Sequence, residues 1–243
     1  MVNRLKTQVL QSLFPNYCCF CGVRRDLAQP ICAGCLGDLP ANTRPCRQCA
    51  LPLPALARTS EPALCGACIT SPPAWDRVVA PWLYSEQMAA LIHRWKYRGE
   101  RWLTPLLASL WLEGAPELTP IDQLVPVPLH WRRHWRRGYN QSELLAQHLL
   151  AGTSCPVEIG LARQAARRNR PTRPQSGMNA SRRRRNMAGA FTSTRPCDNL
   201  RLAIVDDVLT TGATAAALAL ALREAGARHI EIWCLARTPE PTT

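Results

Sequence analysis

Two adjacent acids close an apolar run in "LAIVDDVLTTGAT", residues 202–214, and small hydroxyl and glycine residues follow them. Paired carboxylates suit two tasks: accepting hydrogen bonds from ligand hydroxyls, or holding a divalent cation through water. The turn "TTGAT" opens onto a run of alanines and leucines, so it reads as the entry to a helix. There, free backbone N–H groups and the positive end of the helix dipole attract a phosphate. Gly212 permits close backbone approach, and Thr210, Thr211 and Thr214 add hydroxyl donors. The acids themselves repel phosphate, so the two tasks divide between Asp206–Asp207 and the turn. A helix cap alone would need one acid.

A second set of chemistry-bearing residues lies near the other end. Four Cys-x-x-Cys pairs follow one another: Cys18 and Cys21, Cys32 and Cys35, Cys46 and Cys49, Cys65 and Cys68. Two intervening residues let one tight turn aim both sulfurs at a single ion, and two such pairs complete a closed tetrahedral zinc shell. Eight ligands make two structural zinc sites, by sequential or by cross-braced pairing; spacing permits both. A redox relay would need a flanking strand–helix context that this segment lacks. Cys19 is the spare thiol, structural or idle, or else a replacement for Cys18 in the ligand set.

Charge gives a third signal. The chain of 243 residues has a formal net charge of +13. Between His130 and Arg185 there are thirteen arginines, no lysine, and only Glu143 and Glu158 as acids, so this segment carries +11 of the total. Arginine's planar fork suits bidentate phosphate contact, and an anion-binding wall for phosphate, pyrophosphate or nucleic acid is the reading that uses it. Trp131, Trp135 and Tyr139 interleave with these arginines and offer faces on which bases could stack.

The elements that must position these residues follow from periodicity and breakers. Nine of twelve cysteines precede residue 69, in a stretch poor in long apolar runs, so metal must staple a small core there. Pro72 and Pro73 forbid helix and mark the exit, dividing the chain into 1–72 and 73–243. Beyond it, residues 77–84 read as a strand or hairpin arm. A helix runs from its cap Ser85 to Gly99, and a strand over 123–130 leaves its sheet at Pro126–Pro128. A helix spans 140–152. A buried strand ends at Val205, a helix spans about 214–225 and stops at Gly226, and a second buried strand covers 229–236. Strand, turn, helix and strand with short links imply a right-handed βαβ unit and a parallel α/β sheet, with the acids at the strand's carboxyl end, where such sheets bind ligands. Val2, Leu5, Val9, Leu10 and Leu13 fit one face of an amphipathic helix rather than a secretory signal. Nowhere do eighteen apolar residues run together, so no membrane span is expected and a cytoplasmic location is.

"IVDDVLTTGAT" resembles the phosphoribosyl-pyrophosphate (PRPP) motif of type I phosphoribosyltransferases. That resemblance implies Asp206 and Asp207 as acceptors for the ribose 2′ and 3′ hydroxyls, and Thr210, Thr211, Gly212, Ala213 and Thr214 as the 5′-phosphate cradle, with magnesium accompanying PRPP. Together with the Cys block, "LIHRWKYRGER" (91–101), "VPVPLHWRRHWRRGYNQSELLA" (125–146), "TRPQSGMNASRRRRNMAGAF" (172–191) and "GARHIEIWCLART", the sequence resembles the ComF family, and within it the GntX-like members. The resemblance spans residues 18–238. It implies a type I phosphoribosyltransferase-like parallel sheet with flanking helices, preceded by a small double zinc-ribbon module, and a role in DNA uptake during natural competence or in using DNA as nutrient. DNA-uptake proteins would then be partners.

Carried over residue by residue, Arg132, Arg133, Arg136 and Arg137 fall in the loop that phosphoribosyltransferases use for pyrophosphate, and Gly138, Tyr139, Asn140 and Gln141 match its end. Thr172, Gln175, Arg185 and Asn186 match a mobile hood. His93, Lys96 and Tyr97 match an upstream helix motif. Purine-salvage relatives carry an acid at the position of Thr210 that contacts the base; its absence here leaves the acceptor unnamed. Three functions remain open: a PRPP- or ribose-phosphate-binding ComF-type protein, an active magnesium-dependent transferase of the glycosyltransferase class, and a single-stranded DNA-binding module without catalysis.

Overall fold

Residues 201–209 and 229–237 carry apolar side chains on both faces of an extended chain, a pattern that demands cover on both sides. Ile204, Ile230, Ile232 and Cys234 join one buried cluster, and Ala203, Val205, Trp233 and Leu235 join the other. A sheet with two helical layers follows from that alternation. The computed structural model describes residues 17–24, 29–54, 63–153, 157–161, 166–168 and 189–239. The expected amphipathic face before Tyr17 and the hood residues Thr172, Gln175, Arg185 and Asn186 lie outside the described residues.

In chain order, the Cys-rich segment carries two short helices, α1 (Ala33–Gly37) and α2 (Gly66–Thr70). Strands β1 (Arg77–Val79) and β2 (Trp82–Leu83) precede α3 (Glu86–Tyr97), α4 (Thr104–Gly114), β3 (Ile121–Pro126), α5 (Trp131–Arg137) and α6 (Gln141–Gly152). Then come β4 (Val157–Leu161), β5 (Ala166–Arg168), β6 (Phe191–Ser193), β7 (Arg201–Leu209), α7 (Ala213–Glu224) and β8 (His229–Arg237), which closes the chain of elements. The main sheet has the order β1-β8-β7-β3-β4 with every pair parallel, and β2 also pairs with β8. Strands β5 and β6 form a separate antiparallel pair.

Helices α3, α4 and α6 cover one face with Trp95, Trp111, Leu145 and Leu149, and α7 covers the other with Leu218 and Leu222. The buried tryptophans also satisfy their N–H groups: Trp111 donates to the Cys234 carbonyl at 3.0 Å and Trp95 to the Thr104 hydroxyl at 3.0 Å. Ser85 caps α3 by accepting from the Met88 N–H at 3.2 Å, as its position predicts. The observed architecture is the expected parallel α/β sheet with flanking helices behind a Cys-rich module.

Three local expectations change. The strand expected to end at Val205 continues to Leu209, because β8 keeps pairing with it at Asp206↔Cys234 and Val208↔Ala236. Its other neighbour, β3, stops at Pro126 opposite Val205, so only one side of β7 opens. Residues 77–84 form two short segments rather than one strand, broken at Ala80–Pro81, where proline has no N–H for a ladder. The arginine segment expected as loop contains the helix α5, capped by His130 Nδ1 accepting from Arg132 N at 3.3 Å and ended by Gly138 at φ 75°. No helix among the described residues is long and apolar enough to cross a membrane.

Candidate functional site

β3 pairing stops at Pro126, opposite Val205, and leaves the carboxyl end of β7 without a strand neighbour on that side. Asp206 and Asp207 lie there, still inside the β7–β8 ladder. Each carboxylate accepts from the next backbone N–H: Asp206 Oδ1 from Asp207 N at 2.9 Å, and Asp207 Oδ1 from Val208 N at 2.7 Å. The first residues of α6 close one wall. Ser142 Oγ lies 3.4 Å from Asp206 Oδ1, and Gln141 Nε2 lies 3.5 Å from Asp207 Oδ2. Asn140 fixes that helix start twice, accepting from Ser142 N at 3.1 Å and donating to the Val127 carbonyl at 3.1 Å.

The other wall is the C-terminal turn of α3. Lys96 Nζ reaches Asp207 Oδ2 at 2.5 Å, with both side chains largely buried. Burial pulls the ammonium's pKa down, but the Asp207 carboxylate, with Asp206 behind it, more than offsets this and holds it above the ordinary lysine value. Burial, and then the neighbouring Asp207 charge, push the Asp206 carboxyl up to about 7. One acid of the pair is thus locked in an ion pair, while the other sits poised between charged and neutral forms near neutral pH. Lys96 received no site role from its family match. The signal was its type: Lys6 and Lys96 are the only lysines among thirty basic residues.

The turn after β7 leads into the twelve-residue helix α7 with Gly212 as N-cap at φ 73°, a conformation that side chains rarely adopt. A Cβ there would lie 2.8 Å from the ring of Trp75, so glycine is required for two reasons. Having no side chain, Gly212 leaves the first-turn N–H groups of α7 to other acceptors. Arg237, at the end of β8, accounts for the carbonyls on the strand side of the turn, donating to Leu209 O at 2.9 Å and Thr210 O at 2.6 Å.

Of the four arginines expected as anion partners, the described side chains separate. Arg132 and Arg136 are exposed on α5, as are Trp131 and Trp135. Arg137 is half-buried, with its guanidinium 4.8 Å from the Tyr97 ring, next in sequence to Lys96. The side chain of Arg133 lies outside the described residues. Tyr139 does not face solvent: it is buried and its hydroxyl donates to the Trp95 carbonyl. That removes it from the expected stacking set.

The cysteines form two groups, and the pairing is sequential. Cys18, Cys21, Cys32 and Cys35 bring their sulfurs within 4.8 Å of one another, and so do Cys46, Cys49, Cys65 and Cys68. Tetrahedral zinc with Zn–S bonds of about 2.3 Å separates its sulfurs by roughly 3.8 Å. The Cys21–Cys32 and Cys49–Cys65 sulfurs lie 3.8 and 3.5 Å apart, so both donor sets fit structural zinc. Backbone N–H groups already turn toward sulfur, from Cys32 to Cys18 at 3.5 Å and from Cys65 to Cys46 at 3.2 Å. Burial acts to raise the Cys18, Cys46 and Cys49 thiols, but such N–H bonds more than offset it at Cys18 and Cys46, which fall to about 6 and about 7, while burial leaves Cys49 up at about 12. A bound cation is what lets all four sulfurs ionise together. Cys19 belongs to neither group; burial and the Cys18 charge push its thiol up to about 11.

Sheet, acid pair and paired Cys clusters together define an α/β protein built onto a double zinc ribbon. The double zinc ribbon domain model matches residues 9–69. Over 232 residues the chain is 36% identical to the DNA utilization protein YhgH of Salmonella typhimurium, covering 92% of this chain and 98% of that protein. It is 32% identical to Competence protein F of Haemophilus influenzae over 238 residues, covering 94% of this chain and all of that protein. It is 27% identical to Competence protein ComFC of Streptococcus pneumoniae over 154 residues, covering 63% of this chain and 65% of that one. The chain belongs to the ComF family.

Proposed function

We propose that the chain binds PRPP or a related ribose-phosphate group at the carboxyl end of β7, and that it acts in the uptake of DNA or its use as nutrient. The observation that carries the reading is the acid pair: Asp206 and Asp207 lie side by side at a strand's carboxyl end, beside a helix N-terminus whose cap has no side chain. Acceptors for vicinal hydroxyls and a helix N-terminus suited to a phosphate follow one another along the chain at the carboxyl end of one strand, where sheets of this kind bind ligands. Two buried atoms in this neighbourhood, Gln141 Oε1 and Arg137 Nε, have no hydrogen-bond partner among the described residues, and a polar ligand would supply one. The relatives named for DNA utilization and competence supply the biological setting; in this reading residues 1–72 form the metal-stapled module and 73–243 the ligand domain. A cytoplasmic site is where PRPP and reduced thiols coexist.

Magnesium would enter with the pyrophosphate and offset its charge, adding to the arginines of α5. In transfer chemistry the chain's own residues would orient the ribose through Asp206 and Asp207, fix the 5′-phosphate at residues 210–214, and hold Lys96 against Asp207. Calorimetry with PRPP and magnesium tests the reading: the protein binds, and Asp206→Asn/Asp207→Asn loses binding. Undiminished affinity in that variant places the ligand elsewhere.

A second reading rests on a different observation. Trp135 is 86% exposed and Trp131 66% exposed, beside Arg132 and Arg136 on the same helix, as a base-stacking platform on a basic wall would be. Single-stranded DNA would then bind with affinity that falls steeply with salt, and Trp131→Ala/Trp135→Ala weakens it. Failure to bind at low salt ends this reading. Whether turnover accompanies PRPP binding is measured by pyrophosphate release against a panel of bases.

A further inference from the structure

We infer that the second Cys cluster positions the phosphate-binding turn, through Arg237 and Trp75. This rests on the reading of residues 210–214 as a phosphate cradle. The turn between Cys46 and Cys49 points three successive carbonyls away from the sulfurs, and the ligand domain binds each of them. Arg47 O accepts from Val78 N at 3.5 Å, Gln48 O from the Trp75 indole at 2.7 Å, and Cys49 O from Arg237 Nε at 2.9 Å. Gln48 returns a bond, with Nε2 donating to Trp75 O at 3.4 Å.

Both side chains that receive this turn continue directly into the cradle. The Trp75 ring lies against Gly212, where even a methyl group would approach to 2.8 Å. The Arg237 guanidinium holds the Leu209 and Thr210 carbonyls, and also Thr238 O at 2.7 Å. Trp75 is 6% exposed and Arg237 8%, so neither is a surface contact. A buried guanidinium dedicated to four main-chain carbonyls from three segments costs desolvation that a simple core residue avoids. Its use here is geometric: it fixes the cysteine turn, the end of β7 and the end of β8 to one another, and so sets the path of the chain into α7.

Arg237 and Trp75 are therefore positioning residues. They do not touch the ligand, and they make the cradle's conformation depend on a metal-held turn. The dependence is one-sided in the site: the acid pair is fixed by Lys96, Gln141 and Ser142, whose hydrogen bonds and ion pairs among the described residues run to the acids and not to this cluster. Ligand groups held by residues 210–214 should feel the loss of the strut, and groups held by other residues should not.

The test uses the full chain with its bound zinc and two probes, ribose 5-phosphate and inorganic pyrophosphate, in wild type, Arg237→Met, Arg237→Lys and Trp75→Phe. Arg237→Met weakens ribose 5-phosphate about tenfold or more and leaves pyrophosphate within about twofold; Arg237→Lys, with a charge but no fork, recovers only part. Trp75→Phe draws the aromatic surface back from Gly212 and loses the bond to Gln48 O, giving a smaller loss of the same kind. Equal weakening of both probes, or unchanged ribose 5-phosphate affinity in Arg237→Met, overturns the proposal. Amide hydrogen exchange decides it independently of any ligand. Residues 210–214 exchange about tenfold faster in Arg237→Met if the strut holds them, and unchanged exchange overturns the inference. If wild type binds neither probe, the phosphate reading fails, and the exchange result still rules on the coupling.

Discussion

The two Cys clusters have the same ligands and the same Cys-x-x-Cys turns, yet they are wired into the molecule differently. The first packs Cys18 and Ile31 into the apolar cluster of α3 and α4 and is tied there by Arg94, which donates to Cys19 O at 2.5 Å and grips Glu100 at 2.6–3.0 Å, and by Gln29, which donates to Glu113 at 2.9 Å. Its path to the site is indirect, down α3 to Lys96 and across to Asp207. The second meets the parallel-sheet region through three consecutive carbonyls and reaches the turn at residues 210–214 in one step. Metal chemistry is thus shared, and what distinguishes the clusters is where their outward carbonyls go. A closed metal site can be a local staple in one place and a structural strut in another.

The comparison breaks most readily at the metal. Wild type should hold about two zinc ions per chain, and either Cys21→Ser or Cys65→Ser should bring this to about one. If the wiring differs as described, Cys65→Ser quickens amide exchange at residues 210–214, whereas Cys21→Ser leaves that turn protected. The same response in both variants, read by mass spectrometry, would erase the distinction.

A smaller effect tests the indirect path. Lys96→Met leaves Asp207 buried with its strongest partner gone and should cost about 3 kcal/mol of stability near pH 7. The loss should shrink on acidification as the acids protonate, so denaturant melts at two pH values check it. A deficit of equal size at both would mean that Lys96 acts by packing.

The smallest expected effect is the titration of Asp206. Its carboxyl is raised to about 7, first by burial and then by Asp207, with Lys96 and Ser142 opposing. A folded value above the unfolded one gives stability that is present at low pH and is lost as pH rises towards about 7. Ribose binding runs the other way, because the charged carboxylate is the better acceptor. Affinity for ribose 5-phosphate should rise between pH 6 and pH 8, and Asp206→Asn should flatten that rise.

How much of this was legible beforehand differs between the same regions. The Cys spacing picked out the eight cysteines that the two clusters bring together, because two residues between thiolates leave little geometric freedom; spacing alone left the pairing open, and the choice between Cys18 and Cys19, since both are decided by where distant turns pack. The acid pair and turn were legible because a strand–turn–helix unit is local. Lys96, Arg237 and Trp75 were not, for each acts across more than a hundred residues of sequence and reads locally as an ordinary helix, strand-end or linker residue. The α5 helix was hidden by composition, since consecutive arginines suggest a solvated loop. Its start at His130 and stop at Gly138 are cap signals that charge counting passes over.

The break in the edge strand at Ala80–Pro81 carries a consequence for how the molecule behaves in a crowd. A broken edge leaves unpaired main-chain groups, and residues of the Cys-rich module take them up. Asn42 N donates to Pro81 O at 2.7 Å, its amide to Ala80 O at 3.1 Å, and Leu83 N donates to Pro40 O at 2.9 Å. Exposed sheet edges are templates for pairing with other chains. The ribbon therefore also shields the sheet edge from pairing with further copies of the chain.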